Sequence, residues 1–248
     1  TVRLAAEMIS AAGFVAVAID YPGHGISPGL RGYIPSAESL ETDGLASVHA
    51  AVASWPGLPV FLLGSSMGAA IALLVAQRLE AEQPGSIAGT ILLAPMLAPA
   101  VPTYLRLLLS FLAATPLSTA ALISSSATDN SKQYADPDIR GEIEQDLLAY
   151  KGKLRVGSAS SAVTLGHRAR LTLETVSWPF FILLAERELV LGPASATAAE
   201  RLYSHAATPP PQRALKRYNA LHGLLCELPP LRTAIQDDIV NWLLKTSA

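Results

Sequence analysis

The stretch FLLGSSMGAAIALLVAQRLE, Phe61 to Glu80, runs from a short apolar block through Gly and Ser into a long apolar helix pattern. Within it, Gly64-Ser65-Ser66-Met67-Gly68 fits G-x-S-x-G with Ser66 at the centre. The pattern alone is common by chance. Its setting is what a nucleophilic serine on a sharp turn demands, with a buried strand before it and a helix directly after it. In such a turn the hydroxyl stands exposed and the flanking glycines leave room for the neighbouring strand and helix. The N–H of Met67, at the positive end of the helix, can then donate to an oxyanion. A plain strand-to-helix turn with Ser66 as N-cap is the competing reading. Ser65 is the bland neighbour.

Outward from this junction, short apolar runs alternate with helical patterns, the signature of βαβ units and a parallel sheet. Upstream, VRLAAEMISAAG reads as a helix and FVAVAID, Phe14 to Asp20, as a buried parallel strand. AESLETDGLASVHAAVASW shows helical spacing, with Leu40, Leu45, Val48, Ala51 and Val52 largely on one side. LPVFLLG and AGTILLAP are further strands on either side of the helix that follows Ser66. From Met96 to Thr175 there is no clear strand, only helical pieces broken by Pro, Gly, Ser and Asn; one of them, DPDIRGEIEQDLLAY, opens on Asp and Pro. Order resumes with the strand PFFILLA, a helix around ASATAAERLYSHA and a strand at RALKRYNAL. A closing helix, LRTAIQDDIVNWLLK, carries Leu231, Ile235, Ile239 and Trp242 on its apolar stripe. The expected organisation is an α/β core formed by residues 1–95 and 176–248, with a helical insertion at 96–175.

Bulk properties agree. In 248 residues, 50% hydrophobic and 15% charged side chains imply a large buried core, and a net charge of -2 gives no attraction to nucleic acid or anionic membranes. One cysteine, Cys226, excludes an internal disulfide and a cysteine zinc cluster. No signal peptide is visible at the start. In Thr90 to Leu117, the most apolar region, Pro95, Pro99, Pro102, Pro116 and Arg106 break up the roughly twenty apolar residues that a spanning helix needs. A cytoplasmic protein is expected, in peripheral contact with membranes at most.

A serine needs a base, most often a histidine oriented by a carboxylate. The fold that uses this elbow orders them Ser, acid, His. Of five histidines, His24 and His49 precede Ser66, His167 falls in the irregular insertion and His205 near a helix end. His222, in YNALHGLLCELP, follows the last strand and precedes the closing helix, where a catalytic histidine belongs. The acid should follow PFFILLA, where Glu186 and Glu188 both stand in AERELVLGP.

These segments carry a family resemblance. AGFVAVAIDYPGHGISPGLRGYIPS, LPVFLLGSSMGAAIALL, ILLAPM, YADPDIRGEI, YKGKLRVG, VSWPFFILL and LHGLLCELP…DDIVNWL occur in one order over nearly the whole chain. The chain resembles the monoacylglycerol lipase-like α/β-hydrolases, also described as serine aminopeptidase-type or lysophospholipase-like. Among them it looks most like the plant branch that includes caffeoylshikimate esterase. The resemblance implies an α/β-hydrolase fold, Ser66 as nucleophile, His222 as general base and Glu188 at the position of the family's aspartate. It makes His24 a structural loop residue and residues 96–175 a cap over an apolar acyl or aryl site. The apolar YLRLLLSFLAA of that cap suits a lipid surface or an amphiphilic substrate.

Two departures stand out. The family's His-Gly before the acid is Leu184-Ala185-Glu186-Arg187 here, and glutamate replaces aspartate at 188. The longer side chain shifts the carboxylate by about a bond length, so contact with His222 needs another rotamer or backbone path. Family members also carry strands ahead of the first helix seen here, ending in a loop that supplies the second oxyanion N–H. The implied consequences are a fragment or truncated gene model that folds poorly alone. The expected activity is hydrolysis of monoacylglycerol, lysophospholipid or similar amphiphilic esters through an acyl-enzyme, without metal or cofactor. The alternatives are an aryl (phenylpropanoid) esterase, or a weakened or non-catalytic relative that binds small molecules.

Overall fold

The computed structural model describes residues 2–98 and 101–247, so Pro99 lies outside the described residues. Helix α1 (Val2–Ala11) precedes α2 (Ala37–Ser54), whose N-cap Ser36 accepts the Ser39 N–H at 3.0 Å. Then follow β1 (Phe61–Ser65), α3 (Met67–Glu82) and β2 (Gly89–Leu93). The next helices are α4 (Thr103–Ala113), the single turn α5 (Asn130–Gln133) and α6 (Pro137–Gln145), where Asp136 caps and Pro137 fills the first turn. A short antiparallel ribbon pairs β3 (Ala121–Ile123) with β4 (Leu154–Arg155), and α7 (Val156–Leu171) follows. Then β5 (Phe180–Ala185), α8 (Pro193–His205), β6 (Arg213–Tyr218) and α9 (Pro229–Ser247) complete the order.

The main sheet runs β1-β2-β5-β6, and every neighbouring pair is parallel. Alternation along each strand divides its side chains between two layers. Leu92, Phe180, Ile182 and Leu184 face a core built with Leu73 and Ala76 of α3, Leu165 and Ala169 of α7, and Ala199 and Leu202 of α8. Ile91, Leu93, Phe181 and Leu183 face the other, with Ala5 and Met8 of α1 and Ile235, Ile239 and Leu243 of α9. Buried on both faces, the central strands read as continuous apolar runs.

Three sequence expectations are corrected. Phe14–Asp20 is not a strand: it forms no ladder with any described strand, and Val15, Val17 and Ile19 are 48%, 48% and 40% exposed. An apolar run sets what a segment is suited to, but a strand also needs a neighbour to accept its N–H and C=O groups. The segment is held at its two ends, Phe14 by its ring edge-on to Phe61 of β1 at 6.1 Å and Asp20 by hydrogen bonds from Ile26 N at 2.9 Å and Ser27 Oγ at 2.6 Å. The region between Met96 and Thr175 does contain strands, the β3–β4 ribbon. On α2, Val52 is exposed, because the helix buries Leu40, Glu41, Gly44 and Leu45 instead. Among the described residues, no helix is long and apolar enough to cross a membrane.

Candidate active site

Ser66 closes β1 and opens α3 with φ 55° and ψ -118°, a left-handed backbone that costs a residue with a Cβ of order 1–3 kcal/mol. Neighbouring backbone holds it there. The Ser66 N–H donates to Leu93 O at 2.8 Å, and Ser66 O accepts from Met96 N at 3.1 Å. Ser66 occupies the N-cap position, yet its side chain caps nothing, so the hydroxyl is left free. The Met67 N–H belongs to the first helical turn, whose N–H groups have no acceptor inside the helix. The two glycines differ in role. A Cβ on Gly64 would lie 2.2 Å from Gly68 O, so strand and helix approach too closely for any side chain there; a Cβ on Gly68 would meet nothing within 4 Å.

The histidine and acid sit on the loops after β6 and β5, at the same C-terminal end of the parallel sheet as Ser66. His222 is buried, and its Nδ1 lies 2.7 Å from Glu188 Oε2. The other oxygen, Glu188 Oε1, accepts the N–H groups of Val190 at 2.7 Å and Leu191 at 3.0 Å. Burial by itself would raise the Glu188 carboxyl. The His222 hydrogen bond and charge, with those two backbone donors, outweigh it and hold the group below its ordinary value. An ionised carboxylate only accepts, so the proton between the two is on Nδ1, and Nε2 keeps its lone pair for a proton from a nucleophile. Glu186, the other acid open in the sequence, is exposed; its backbone N–H extends the β5–β6 ladder to Tyr218 O at 2.9 Å.

The structure does not join every member of this set. Among the described residues, no hydrogen bond links Ser66 Oγ to His222. The strands β1 and β6 stand at opposite edges of the sheet with β2 and β5 between them, about 14 Å apart at the usual strand spacing. The loop after β6 has to cross that distance to bring the ring to Ser66.

The remaining histidines do other things. His24 Nδ1 lies 3.0 Å from Pro22 O within its own loop, His49 pairs with Glu82 at 3.1 Å, and His167 on α7 and His205 at the end of α8 are exposed. Sequence reasoning missed the groups that hold the His222 loop. Gly223 N–H donates to Gln133 O at 2.7 Å, and Asp136 N–H to Cys226 O at 3.1 Å. Arg232 pairs with Asp136 at 3.0 Å, and Arg187 with buried Glu227 at 3.3 Å. The Tyr134 ring packs on Gly223 so closely that a Cβ would lie 2.5 Å from it. No motif announced these contacts; the only signals were a Gly directly after the histidine and an acid five residues beyond it.

The family model described as serine aminopeptidase, S33 matches residues 2–229. The chain belongs to that family. Human monoglyceride lipase is 28% identical over 246 residues, covering 98% of this chain and 77% of the relative. An Arabidopsis thaliana caffeoylshikimate esterase is 26% identical, covering 93% and 69% respectively. Among solved structures, a monoacylglycerol lipase of Paleococcus ferrophilus superposes with TM-score 0.77 at 23% identity, covering 98% of this chain and 88% of that one. A Saccharomyces cerevisiae monoglyceride lipase variant, solved with a substrate analog, gives 0.74 at 18% identity, covering 92% and 76%. Family and fold make this chain a serine hydrolase of the α/β-hydrolase fold. The parallel sheet flanked by helices is that fold as this sequence builds it.

Proposed function

We propose that the chain hydrolyses monoacylglycerols and similar amphiphilic carboxylic esters, with Ser66 as nucleophile, His222 as base and Glu188 as its orienting acid. Ser66 Oγ attacks the acyl carbonyl while His222 Nε2 takes its proton; the imidazolium is stabilised by Glu188. The Met67 N–H faces the oxyanion that forms, in a helix-terminal field that favours negative charge. The tetrahedral species collapses as His222 protonates the departing alcohol, giving the acyl-Ser66 ester. A water molecule, deprotonated by His222, then releases the acid and returns the proton to Ser66. The observation that carries this reading is the 2.7 Å Glu188–His222 contact at the same end of the sheet as a strained serine with an uncapped hydroxyl.

The ester class is supported by relatives whose names are monoglyceride lipases, aligned over nearly all of this chain. The cap supports an amphiphilic substrate or surface. On α4, Phe111 is 68% and Leu107 63% exposed, whereas Arg106 is partly covered. Peripheral contact with lipid through this helix belongs to the same proposal.

A fluorophosphonate probe tests the nucleophile. It should label the chain stoichiometrically at Ser66, with labelling and ester turnover both lost in Ser66→Ala. Labelling that persists in that variant sinks the assignment. The absent Ser66–His222 hydrogen bond favours one rival, a binding protein that does not turn over esters. Assays across acyl glycerols of graded chain length and phenylpropanoid esters separate the two. Turnover of the glycerol esters is expected; none with any ester, from folded protein, would establish the rival.

A further inference from the structure

We propose that Arg187 and Glu227 are positioning residues that hold the Glu188 and His222 loops at their working separation; this rests on the triad reading above. Glu227 is 3% exposed, an unusual place for a carboxylate unless it is paired and hydrogen-bonded. Both needs are met by groups beside the proposed acid and base. Glu227 Oε1 accepts the N–H of Leu221, the residue before His222, at 2.5 Å. Both Glu227 oxygens lie 3.3 Å from Nη2 of Arg187, the residue before Glu188. Arg187 also donates its backbone N–H to Ala220 O at 3.0 Å. One buried carboxylate therefore bridges the two loops a single residue away from the 2.7 Å contact they must make.

The other flank of the His222 loop is fixed differently, by Gln133 O on Gly223 and by the Asp136 N–H on Cys226 O. Those contacts belong to the segment around α5 and α6 and leave the acid loop untouched. Among the described residues, only the Arg187–Glu227 bridge ties the base loop to the acid loop by side-chain hydrogen bonds other than the pair itself. Neither residue has a role on the reacting atoms. Their effect is to set where the imidazole stands, and a displacement of about 1 Å in a catalytic group can cost of order 10²-fold in rate.

The test measures turnover of a soluble p-nitrophenyl ester by the full chain. Glu227→Ala and Arg187→Met should each lower kcat by ~10–100-fold while KM moves by less than ~3-fold. Glu227→Gln keeps an acceptor for Leu221 N–H and should recover most of the loss. In a Glu188→Gln background, Glu227→Ala should cost almost nothing more, because the contact it maintains is already broken. The hydrogen-bonded His222 Nδ1 proton, followed as a downfield NMR resonance in the protein without substrate, should weaken or vanish in Glu227→Ala and return in Glu227→Gln. Arg187 is half-exposed, so Arg187→Met carries the test if Glu227→Ala fails to fold. An unchanged kcat and an unchanged Nδ1 resonance in both variants would overturn the positioning role. Equal losses with and without Glu188 would overturn it too. Fluorophosphonate labelling that survives Ser66→Ala would instead sink the triad reading, and the NMR resonance still reports on the clamp independently.

Discussion

Glu188 divides its carboxylate between two tasks: Oε2 meets His222 Nδ1 at 2.7 Å, and Oε1 is held by the N–H groups of Val190 and Leu191. The glutamate is thus tied back onto its own loop, which fixes its reach. Replacement by glutamine keeps the shape but removes the charge and allows an amide N–H to face Nδ1, selecting the wrong tautomer. The expected loss in kcat for Glu188→Gln is ~10³–10⁴-fold. Glu188→Asp shortens the side chain by one methylene on a backbone set for glutamate and should lose ~10–100-fold by misplacing the carboxylate. Steady-state kinetics of both variants check this, and an aspartate variant faster than the parent would refute the argument.

The elbow makes a second prediction, on stability. At φ 55° Ser66 bears strain that glycine does not. Ser66→Gly should abolish ester turnover and raise stability by ~1 kcal/mol, measured by denaturant unfolding. Gly64→Ala should do the opposite. Its Cβ would sit 2.2 Å from Gly68 O and 2.6 Å from Ala69 N, both backbone, so β1 and α3 must part. A loss of ~3 kcal/mol or more is expected. Equal stability of Gly64→Ala and the parent would show that the junction is looser than its geometry.

The apolar side of α4 concerns the surface. Tyr104, Leu107, Leu108 and Phe111 recur at helical spacing and face outward, and the helix buries none of its residues. The double variant Leu107→Ser, Phe111→Ser removes exposed apolar area without opening a cavity, so unfolding free energy should change by less than ~0.5 kcal/mol per site. Co-sedimentation with phosphatidylcholine vesicles should fall several-fold. Undiminished pelleting would remove α4 from any role at a lipid surface.

How much of this was legible in the sequence follows from the range of the forces involved. β2 and β5 were readable because both faces of each are buried, which leaves an unbroken apolar run, and β1, a half-buried edge strand, was readable through its apolar Phe61-Leu62-Leu63 before the Gly-Ser turn. Phe14–Asp20 has the same composition and is no strand, because pairing depends on a neighbour that the segment's own letters do not describe. At the site, Ser66 and His222 stand out through local pattern and chain order, whereas the residues alone left Glu186 and Glu188 open and only the family resemblance pointed to Glu188. The Arg187–Glu227 bridge spans 40 residues, and neither end has a local signature. The constraint on Gly223, the Tyr134 ring against it, comes from a residue 89 positions earlier in the chain and has no local signature either.

A final prediction concerns pH and a carboxylate outside the site. Glu41 of α2 is 2% exposed; Oε2 pairs with Arg168 of α7 at 2.9 Å, and Oε1 has no partner among the described residues. It lines a cleft of about 300 Å³ with Gln77, Arg78 and Arg168 that shares no residue with the Ser66, Glu188 and His222 set. Burial raises this carboxyl above its ordinary value, outweighing the pull of Arg168 and Arg78. In the window between the ordinary and the raised value, the native state keeps a proton that the unfolded chain has released. Stability then falls as pH rises through that window, and the cost is fully present above it. Glu41→Gln does not titrate and keeps an acceptor for Arg168. The difference in melting temperature, variant minus parent, should therefore become more positive between about pH 4.5 and pH 7. Thermal unfolding of both proteins across that range checks the sign. A difference that shrinks with rising pH would mean that the Arg168 pair outweighs the burial of Glu41.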